Sequence, residues 1–172
     1  MIQFKIVTPS GVAYEDNIIS LTLPTKSGEI TVLANHIPLV TLLRPGEMIV
    51  RKRAEKVGAL ENGASAAAAT ASGDNLYEMH FAVSHGIVQV RRGSEVVILS
   101  DTAERAEEID IAKAEEARKR AEEALKRKGE LDDVAFSRLQ AVFDRELAKT
   151  KVGSRRQARK RPVAASQEYE EG

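Results

Sequence analysis

The chain has 172 residues, of which 42% are apolar and 30% are charged, and its 26 basic residues balance its 26 acidic ones. This length allows one domain or two small ones, and zero net charge gives no field that would favour nucleic acid as a partner. The chain has no cysteine, which excludes disulfides and thiolate chemistry, and no apolar run approaches the ~20 residues of a membrane span, so we expect membrane association only through partners.

The first hundred residues contain short apolar runs that alternate with turn signals. The runs with strand character lie at residues 4–7, 18–23, 29–33, 39–43, 48–50, 81–83, 87–90 and 96–99. The last two runs flank residues 91–94, where a glycine predicts a hairpin loop. Many short strands with frequent turns are typical of a sandwich or flattened barrel. We therefore predict a β-sandwich domain over residues 1–100.

Residues 23–46 are the most informative part of this region. Pro24 and Gly28 mark a turn, because proline fixes φ and glycine adopts backbone angles that other residues avoid. The strand that follows ends before Pro38, and the next one ends at Pro45. Nothing here pairs a nucleophile with a base, and no glycine-rich loop opens a helix. We interpret the stretch as a rigid β platform whose turns present a few polar side chains.

Between residues 52 and 77 the strand pattern lapses. Residues 61–73 are rich in alanine, glycine and serine and carry little apolar bulk. Side chains this small cannot offset the conformational entropy that is lost when a segment becomes ordered. We therefore predict an inserted flexible loop over residues 52–77.

Residues 101–150 change to a helical period. Asp110 is placed to cap the first helix, because its carboxylate can accept hydrogen bonds from the unpaired N–H groups of the first turn. Gly129 suits the end of that helix. The apolar stripes are Ala114, Ala117, Ala121 and Ala124 on the first helix and Ala135, Leu139, Val142 and Phe143 on the second. The short connection predicts an antiparallel helical hairpin, and its alanines bury so little apolar area that we expect weak docking.

The last segment, residues 151–172, is poor in apolar side chains. Five basic residues lie between positions 155 and 161, and three glutamates follow Pro162. This composition favours a disordered charged tail. The alternative is a contact with acidic lipid headgroups or with an acidic partner surface.

Two stretches of the chain resemble one known family. GEITVLANHIPLVTLLRPG (residues 28–46) and FAVSHGIVQVRRGSEVVILSDTAERAEEID (residues 81–110) are similar to the epsilon subunit of the F-type rotary ATP synthase, and they occur in the right order. The resemblance implies an all-β N-terminal sandwich followed by an α-helical antiparallel hairpin. It also implies a non-catalytic rotor subunit that requires no cofactor and couples proton flow through a membrane ring to ATP synthesis on other subunits.

The same resemblance implies the partners and their contact residues. The partners are the gamma (shaft) subunit, the c-subunit ring and the alpha/beta catalytic hexamer, which an extended hairpin would reach to inhibit ATP hydrolysis. The candidate ring and shaft contacts are Ser27, Gly28, Glu29 and His36. The implied location is peripheral, on the cytoplasmic face of a bacterial plasma membrane, or on the stromal or matrix side in an organelle. The alternative for Glu29 is an ordinary exposed turn.

A nucleotide site on the hairpin is a further implication of the resemblance. Residues 109–114 resemble the family's Ile/Leu-Asp-x-x-Arg-Ala motif, which binds ATP in some bacterial members. The candidate ATP-binding residues are Glu104, Asp110, Lys113, Ala114 and Arg120. Lys113 stands where the motif has arginine, and lysine lacks the bidentate fork of arginine. The simpler interpretation is that Asp110 caps a helix and that Lys113 is solvated.

Two other function classes stay open from the residues alone. One is a free-standing ATP-sensing regulatory module, in which nucleotide stabilises the folded hairpin. The other is a small hydrolase or metal protein that uses His36, His80 and His85. No two of these histidines have the ligand spacing of a helical metal site. We therefore expect no catalytic residue and no metal ligand.

Overall fold

The computed structural model describes residues 1–53, 76–126 and 132–160, which form ten strands and two helices. The strands are β1 (Ile2–Thr8), β2 (Gly11–Ile18), β3 (Ser20–Thr25), β4 (Gly28–Leu33), β5 (Leu39–Leu43), β6 (Gly46–Arg53), β7 (Leu76–Val83), β8 (Gly86–Arg91), β9 (Glu95–Ser100) and β10 (Ala103–Arg105). The helices are α1 (Ile111–Lys126) and α2 (Asp133–Lys160). A β region therefore precedes a helical region, in the predicted order.

Alternating apolar residues explain why the strands form one covered face. In β1, Ile2, Phe4 and Ile6 are buried while Gln3 is exposed. In β9, Val96 and Ile98 are buried in the same alternating way. Successive side chains point to opposite faces of a strand, so this pattern requires a sheet with one face against the core.

The strands fold into two facing layers. One layer contains β10, β7, β6 and β3, with β4 paired to β3, and the other contains β5, β8, β9, β1 and β2. The layers join at one edge, where Thr25 of β3 pairs with Leu43 of β5. At the other edge, the Lys52 ammonium of β6 contacts the Asp16 carboxylate of β2. The predicted sandwich or flattened barrel is confirmed, and it is nearly closed.

Large side chains from both layers fill the interior of the sandwich. The Tyr14 ring lies between Phe4 and Phe81, with centroids 5.9 and 5.3 Å away. Its hydroxyl donates to the Asp16 carboxylate at 2.9 Å, and burial together with this hydrogen bond raises the pKa of Tyr14. The other large side chains that are fully buried are Ile2, Ile6, Ile18, Leu21, Leu23, Leu43, Met48, Ile98, Val32 and Val50. Close packing of this kind makes the sandwich a rigid body.

The strands extend past three boundaries that the sequence predicts. β10 lies beyond residue 100 and pairs with β7, with Ala103 opposite Val83. It is only three residues long and has no apolar alternation, so its pattern carries no strand signal. The predicted loop over residues 52–77 is shorter at both ends, because β6 runs through Arg53 and β7 begins at Leu76. Residues 54–75 lie outside the described residues, so the flexibility of this loop stays a prediction.

The two helices form the predicted hairpin, and both begin at an aspartate cap. A carboxylate oxygen of Asp110 accepts from the Lys113 amide at 3.1 Å. Asp132 accepts in the same way from the Ala135 amide at 2.6 Å. Each cap satisfies one N–H group that the helix itself leaves unpaired, which fixes where the helix starts.

The second helix runs ten residues beyond its predicted end at residue 150. It continues through Lys160, so residues 151–160 of the predicted disordered tail are helical. The low apolar content of these ten residues predicted disorder. Two of them, Val152 and Gly153, are nevertheless buried against the rest of the molecule. One apolar side chain and one glycine are enough to pack a helical turn against the neighbouring elements. Residues 161–172 of the predicted tail lie outside the described residues.

The contact between the helices is as thin as the alanine pattern predicts. On α1 only Ala114 and Ala121 are buried, among the described residues. The predicted stripe on α2, which contains Leu139 and Phe143, is half-buried. Within the described part of the chain, no helix is long and apolar enough to cross a membrane.

Candidate functional site

The turn between β3 and β4 presents three of the predicted contact residues. Gly28 has a φ of 116°, which only glycine adopts without strain. The Thr25 hydroxyl donates to the Gly28 carbonyl at 2.6 Å and accepts from the Ser27 amide at 3.2 Å. Ser27, Gly28 and Glu29 are all exposed. The hydrogen bonds of Thr25 therefore fix the backbone of the turn, and its exposed groups are accessible to a partner.

His36 lies in the connection between β4 and β5, which is also held firmly. Asn35 has a φ of 63°, and its amide donates to the Ser94 hydroxyl at 2.8 Å. The His36 Nδ1 atom lies 2.7 Å from the Ile37 carbonyl oxygen. Glu29 thus lies at the start of β4, whereas His36 lies beyond the other end of that strand. The structure does not gather the four predicted contact residues into one cluster.

An apolar row crosses the outer face of the second layer, and the sequence reasoning missed it. Paired residues on neighbouring strands place Leu42, Ile87, Leu99, Val7 and Val12 side by side. We call these five residues the outer row. Leu42, Ile87 and Leu99 are 47%, 45% and 52% exposed. Contiguous apolar surface of this kind marks an interaction site.

A signal for the outer row was present in the sequence. In β5, β8 and β9 most inward positions are apolar, and an outward position beside them is apolar as well. Strands that are apolar on both faces are typical of sheets covered on both sides. The pattern does not tell which outward residues meet, because that depends on strand order and register.

The predicted nucleotide residues at the start of α1 contact one another as a helix cap. The Lys113 ammonium lies 3.2 Å from an Asp110 carboxylate oxygen. Hydrogen bonds from the Lys113 amide and from its side chain hold the pKa of Asp110 below its ordinary value. The Lys113 side chain is 84% exposed, and Ala114 is buried. These contacts match the simpler interpretation of a capped helix with a solvated lysine.

The other two nucleotide candidates have partners of their own. The Glu104 carboxylate lies 2.5 Å from the Lys149 ammonium of α2. Arg120 forms an ion pair with Glu116, one turn earlier on α1. The three charged candidates therefore have different partners, which are Lys149 for Glu104, Lys113 for Asp110 and Glu116 for Arg120. ATP binding on the hairpin stays a prediction.

Glu29 also lines a cleft of about 430 Å³ between the sandwich and α2. The cleft brings the β3–β4 turn and the helix together, which the sequence reasoning did not anticipate. Its charged and titratable lining residues are Glu29, Arg44, Glu47, His85, Asp144, Lys151 and Arg155. Three of these residues are acidic and four are basic, so the lining is mixed in charge.

The three histidines lie on separate elements and have separate surroundings. His80 on β7 contacts two carboxylates, with Glu47 at 3.0 Å and Glu78 at 3.7 Å. His85 lies in the connection between β7 and β8. In the described parts of the chain, no three His, Cys, Asp or Glu residues are arranged to hold a metal ion.

Comparisons with known proteins agree on one family. The family model "ATP synthase, Delta/Epsilon chain, beta-sandwich domain" matches residues 1–65, and "ATP synthase, Delta/Epsilon chain, long alpha-helix domain" matches residues 107–153. The ATP synthase epsilon chain of Herpetosiphon aurantiacus is 35% identical over 78% of this chain and 82% of its own length. That of Chloroflexus aggregans is 32% identical over 93% of this chain and 97% of its own length.

A solved structure shows the same fold. It is the mitochondrial ATP synthase of Euglena gracilis, described as OSCP/F1/c-ring in rotational state 1. One of its chains aligns with a TM-score of 0.61 at 20% identity, over 86% of this chain and 78% of that chain. Two family matches that cover both regions, together with relatives aligned over most of their length, establish the relationship. The chain therefore belongs to the epsilon-chain family of the F-type ATP synthase.

Proposed function

We propose that this chain is a non-catalytic subunit of the ATP synthase rotor, bound to the gamma (shaft) subunit through the outer face of its sandwich. The observation that carries the proposal is the outer row. Exposed apolar side chains lie on three neighbouring strands of a rigid sheet, where a partner helix or sheet could cover all of them at once. Contacts in a rotor must transmit force, and a rigid, apolar, extended surface suits that task.

The energy available at the outer row is adequate for a stable contact. Four of its five side chains, all except Val7, are about half exposed, so covering each of these completely would contribute about 1 kcal/mol. Four such residues would offset part of the cost of association, and surrounding polar contacts would supply the rest. The row is therefore a natural centre for an interface.

The β3–β4 turn is the proposed contact with the c-subunit ring. Its backbone is fixed by the Thr25 hydroxyl and by Gly28, and Glu29 is exposed at its end. A turn that does not yield under load would pass rotation from the ring to the sandwich. With its sandwich between ring and shaft, the subunit would couple proton flow to ATP synthesis and lie on the cytoplasmic side of the membrane.

The helical hairpin is the proposed conformational brake. Its helices contact each other through alanines, so they can separate at modest cost. In its extended form the hairpin would reach the alpha/beta catalytic hexamer and restrain ATP hydrolysis. In its docked form it leaves that hexamer free.

The outer row can be tested with a double variant, Leu42→Asp with Ile87→Asp. Two neighbouring carboxylates within the row would be desolvated on binding, so we expect the Kd for the gamma subunit to rise at least about 100-fold. The matched control is Val134→Asp, another exposed apolar residue, which lies on the hairpin. Circular dichroism would verify that both proteins fold. Equal Kd values for the double variant and the control would refute the proposed shaft contact.

A further inference from the structure

The docked hairpin touches the sandwich through the last part of α2. Val152 is buried in a small apolar cluster with Ala82, Ala106 and Ile109. The next residue, Gly153, comes so close to the start of α1 that an added Cβ would lie 2.6 Å from Ile111. This seat is small, because three of its members are alanine or valine. Apolar burial there contributes little area.

Three cationic side chains of α2 surround this apolar seat and reach the sandwich. The Arg155 guanidinium pairs with the Glu47 carboxylate of β6. The Lys149 ammonium pairs with Glu104 of β10 at 2.5 Å. Arg156 donates to the backbone carbonyls of residues 106 and 107 at 3.2 and 3.3 Å. Each contact joins the helix to a segment at least forty residues away in the sequence.

These cross-contacts are less accessible than the ion pairs within α1. The Glu47 and Lys149 side chains are 9% and 16% exposed, whereas Arg120, which pairs within its own helix, is 75% exposed. Exposed pairs contribute little to stability. Removing the cation from a buried carboxylate is costly, because the remaining charge loses part of its compensation.

Glu47 is held in place for this contact from inside the sandwich. His80 of β7 lies 3.0 Å from the other Glu47 carboxylate oxygen. This contact opposes rotation of the carboxylate toward bulk water when Arg155 leaves. An anchored acceptor makes the loss of Arg155 more costly than it would be for a flexible surface glutamate.

We propose that Lys149, Arg155 and Arg156 with their sandwich acceptors form an electrostatic clasp, and that this clasp, rather than the alanine contact between the helices, sets how often the hairpin leaves the sandwich. We call this group the α2 clasp. Opening separates Glu47 and Glu104 from their cations, and ions in solution reduce that cost. The hairpin is therefore released by raised ionic strength or by anionic groups that compete for the arginines.

The α2 clasp is independent of the rotor assignment, because it operates within the isolated chain. The chain has no cysteine, so two can be introduced at the exposed positions Ser10 and Ser137 without background labelling. Nitroxide labels there would report the distance between sandwich and α2 by pulsed electron resonance. The measurement would be made on the full chain at about 50 mM and about 500 mM salt.

Arg155→Glu is the decisive variant, and Arg138→Glu is its matched control. Both reverse the charge of an exposed arginine on α2, but Arg138 forms no ion pair with any residue in the described parts of the chain. We expect Arg155→Glu to raise the fraction of long distances about tenfold and to reduce its dependence on salt. Arg138→Glu is expected to behave like the parent chain.

Two further variants complete the test, one that exchanges the charges of Glu47 and Arg155 and one at Lys149. Glu47→Arg combined with Arg155→Glu is expected to restore part of the docked population. Lys149→Met, which leaves Glu47 unchanged, is expected to weaken docking on its own and keeps the test valid if the exchange variant does not fold. Identical distance distributions for Arg155→Glu, Lys149→Met and Arg138→Glu at both salt concentrations would overturn the α2 clasp.

Discussion

The sandwich and the helical hairpin are held together by different kinds of interaction. Large apolar side chains such as Phe4, Ile98 and Met48 are fully buried in the sandwich. In the hairpin, only alanines are buried on α1, and the buried positions of α2 include the charged Glu146. Dense apolar packing gives a body that moves as a unit. Small apolar contacts and ion pairs allow the hairpin to separate from the sandwich without disturbing the sandwich core.

The largest expected effect comes from a cavity in the sandwich. Phe4→Ala removes a ring that is 1% exposed and contacts Tyr14, and we expect a loss of about 3–5 kcal/mol in the free energy of unfolding. Urea denaturation followed by circular dichroism would measure it. Val134→Ala on the hairpin surface is the control, with an expected change below about 0.5 kcal/mol. Equal losses in the two variants would mean that the two regions share one stabilising core.

A smaller effect is expected at the close contact of the hairpin. Gly153→Val places a branched side chain where Ile111 already lies, and overpacking of this kind costs about 1–3 kcal/mol. The helices can relieve it by moving away, so hydrogen exchange is expected to quicken in α2 and not in the strands. Uniform acceleration across strands and helices would contradict the separation of the two regions.

The smallest expected effect is a pH dependence at the boundary between the regions. The hydrogen bond from His80, together with Arg155, holds the pKa of Glu47 below its ordinary value of 4.5. A carboxyl with a lowered native pKa contributes stability that is fully present above its ordinary pKa and is lost as pH falls through the native one. The parent chain should therefore lose docking stability from about pH 5 downward, and Glu47→Gln should lose less.

The distance between the labels at residues 10 and 137 would follow this loss in both proteins. At neutral pH the Glu47→Gln variant starts from weaker docking, because an amide attracts Arg155 less strongly than a carboxylate does. The two curves are expected to converge in acid. Parallel curves over the whole range would show that Glu47 does not respond to acid in the way its contacts indicate.

The sequence predicted the elements of the fold well where its pattern was strong. The turn at Gly28 and the cap at Asp110 follow from local chemistry, and the structure has them. The sequence did not predict the elements that are stabilised by residues far away along the chain. β10 and the end of α2 are ordered by β7 and by the apolar seat at Val152, which no local pattern reveals.

The arrangement of the candidate site was not predictable from the sequence. The turn residues near Glu29 could be found from the family resemblance. The outer row depends on the register between Leu42, Ile87 and Leu99, and the ion pair of Arg155 joins residues more than a hundred positions apart. Pairings of this range depend on how the strands and helices are placed in space, which a single sequence does not specify.

The parallel pairing of β1 with β9 also bears on how the chain is made. Gln3 lies opposite Glu95, so the first strand finds its partner only after roughly 90 further residues have been synthesised. Closing so long a loop is slow, whereas helices form from neighbouring residues within about a microsecond. During translation β1 must wait with one edge unpaired. The hairpin, which is made after the sandwich and folds from local contacts, would form at once but would find a place to dock only after the sandwich has closed.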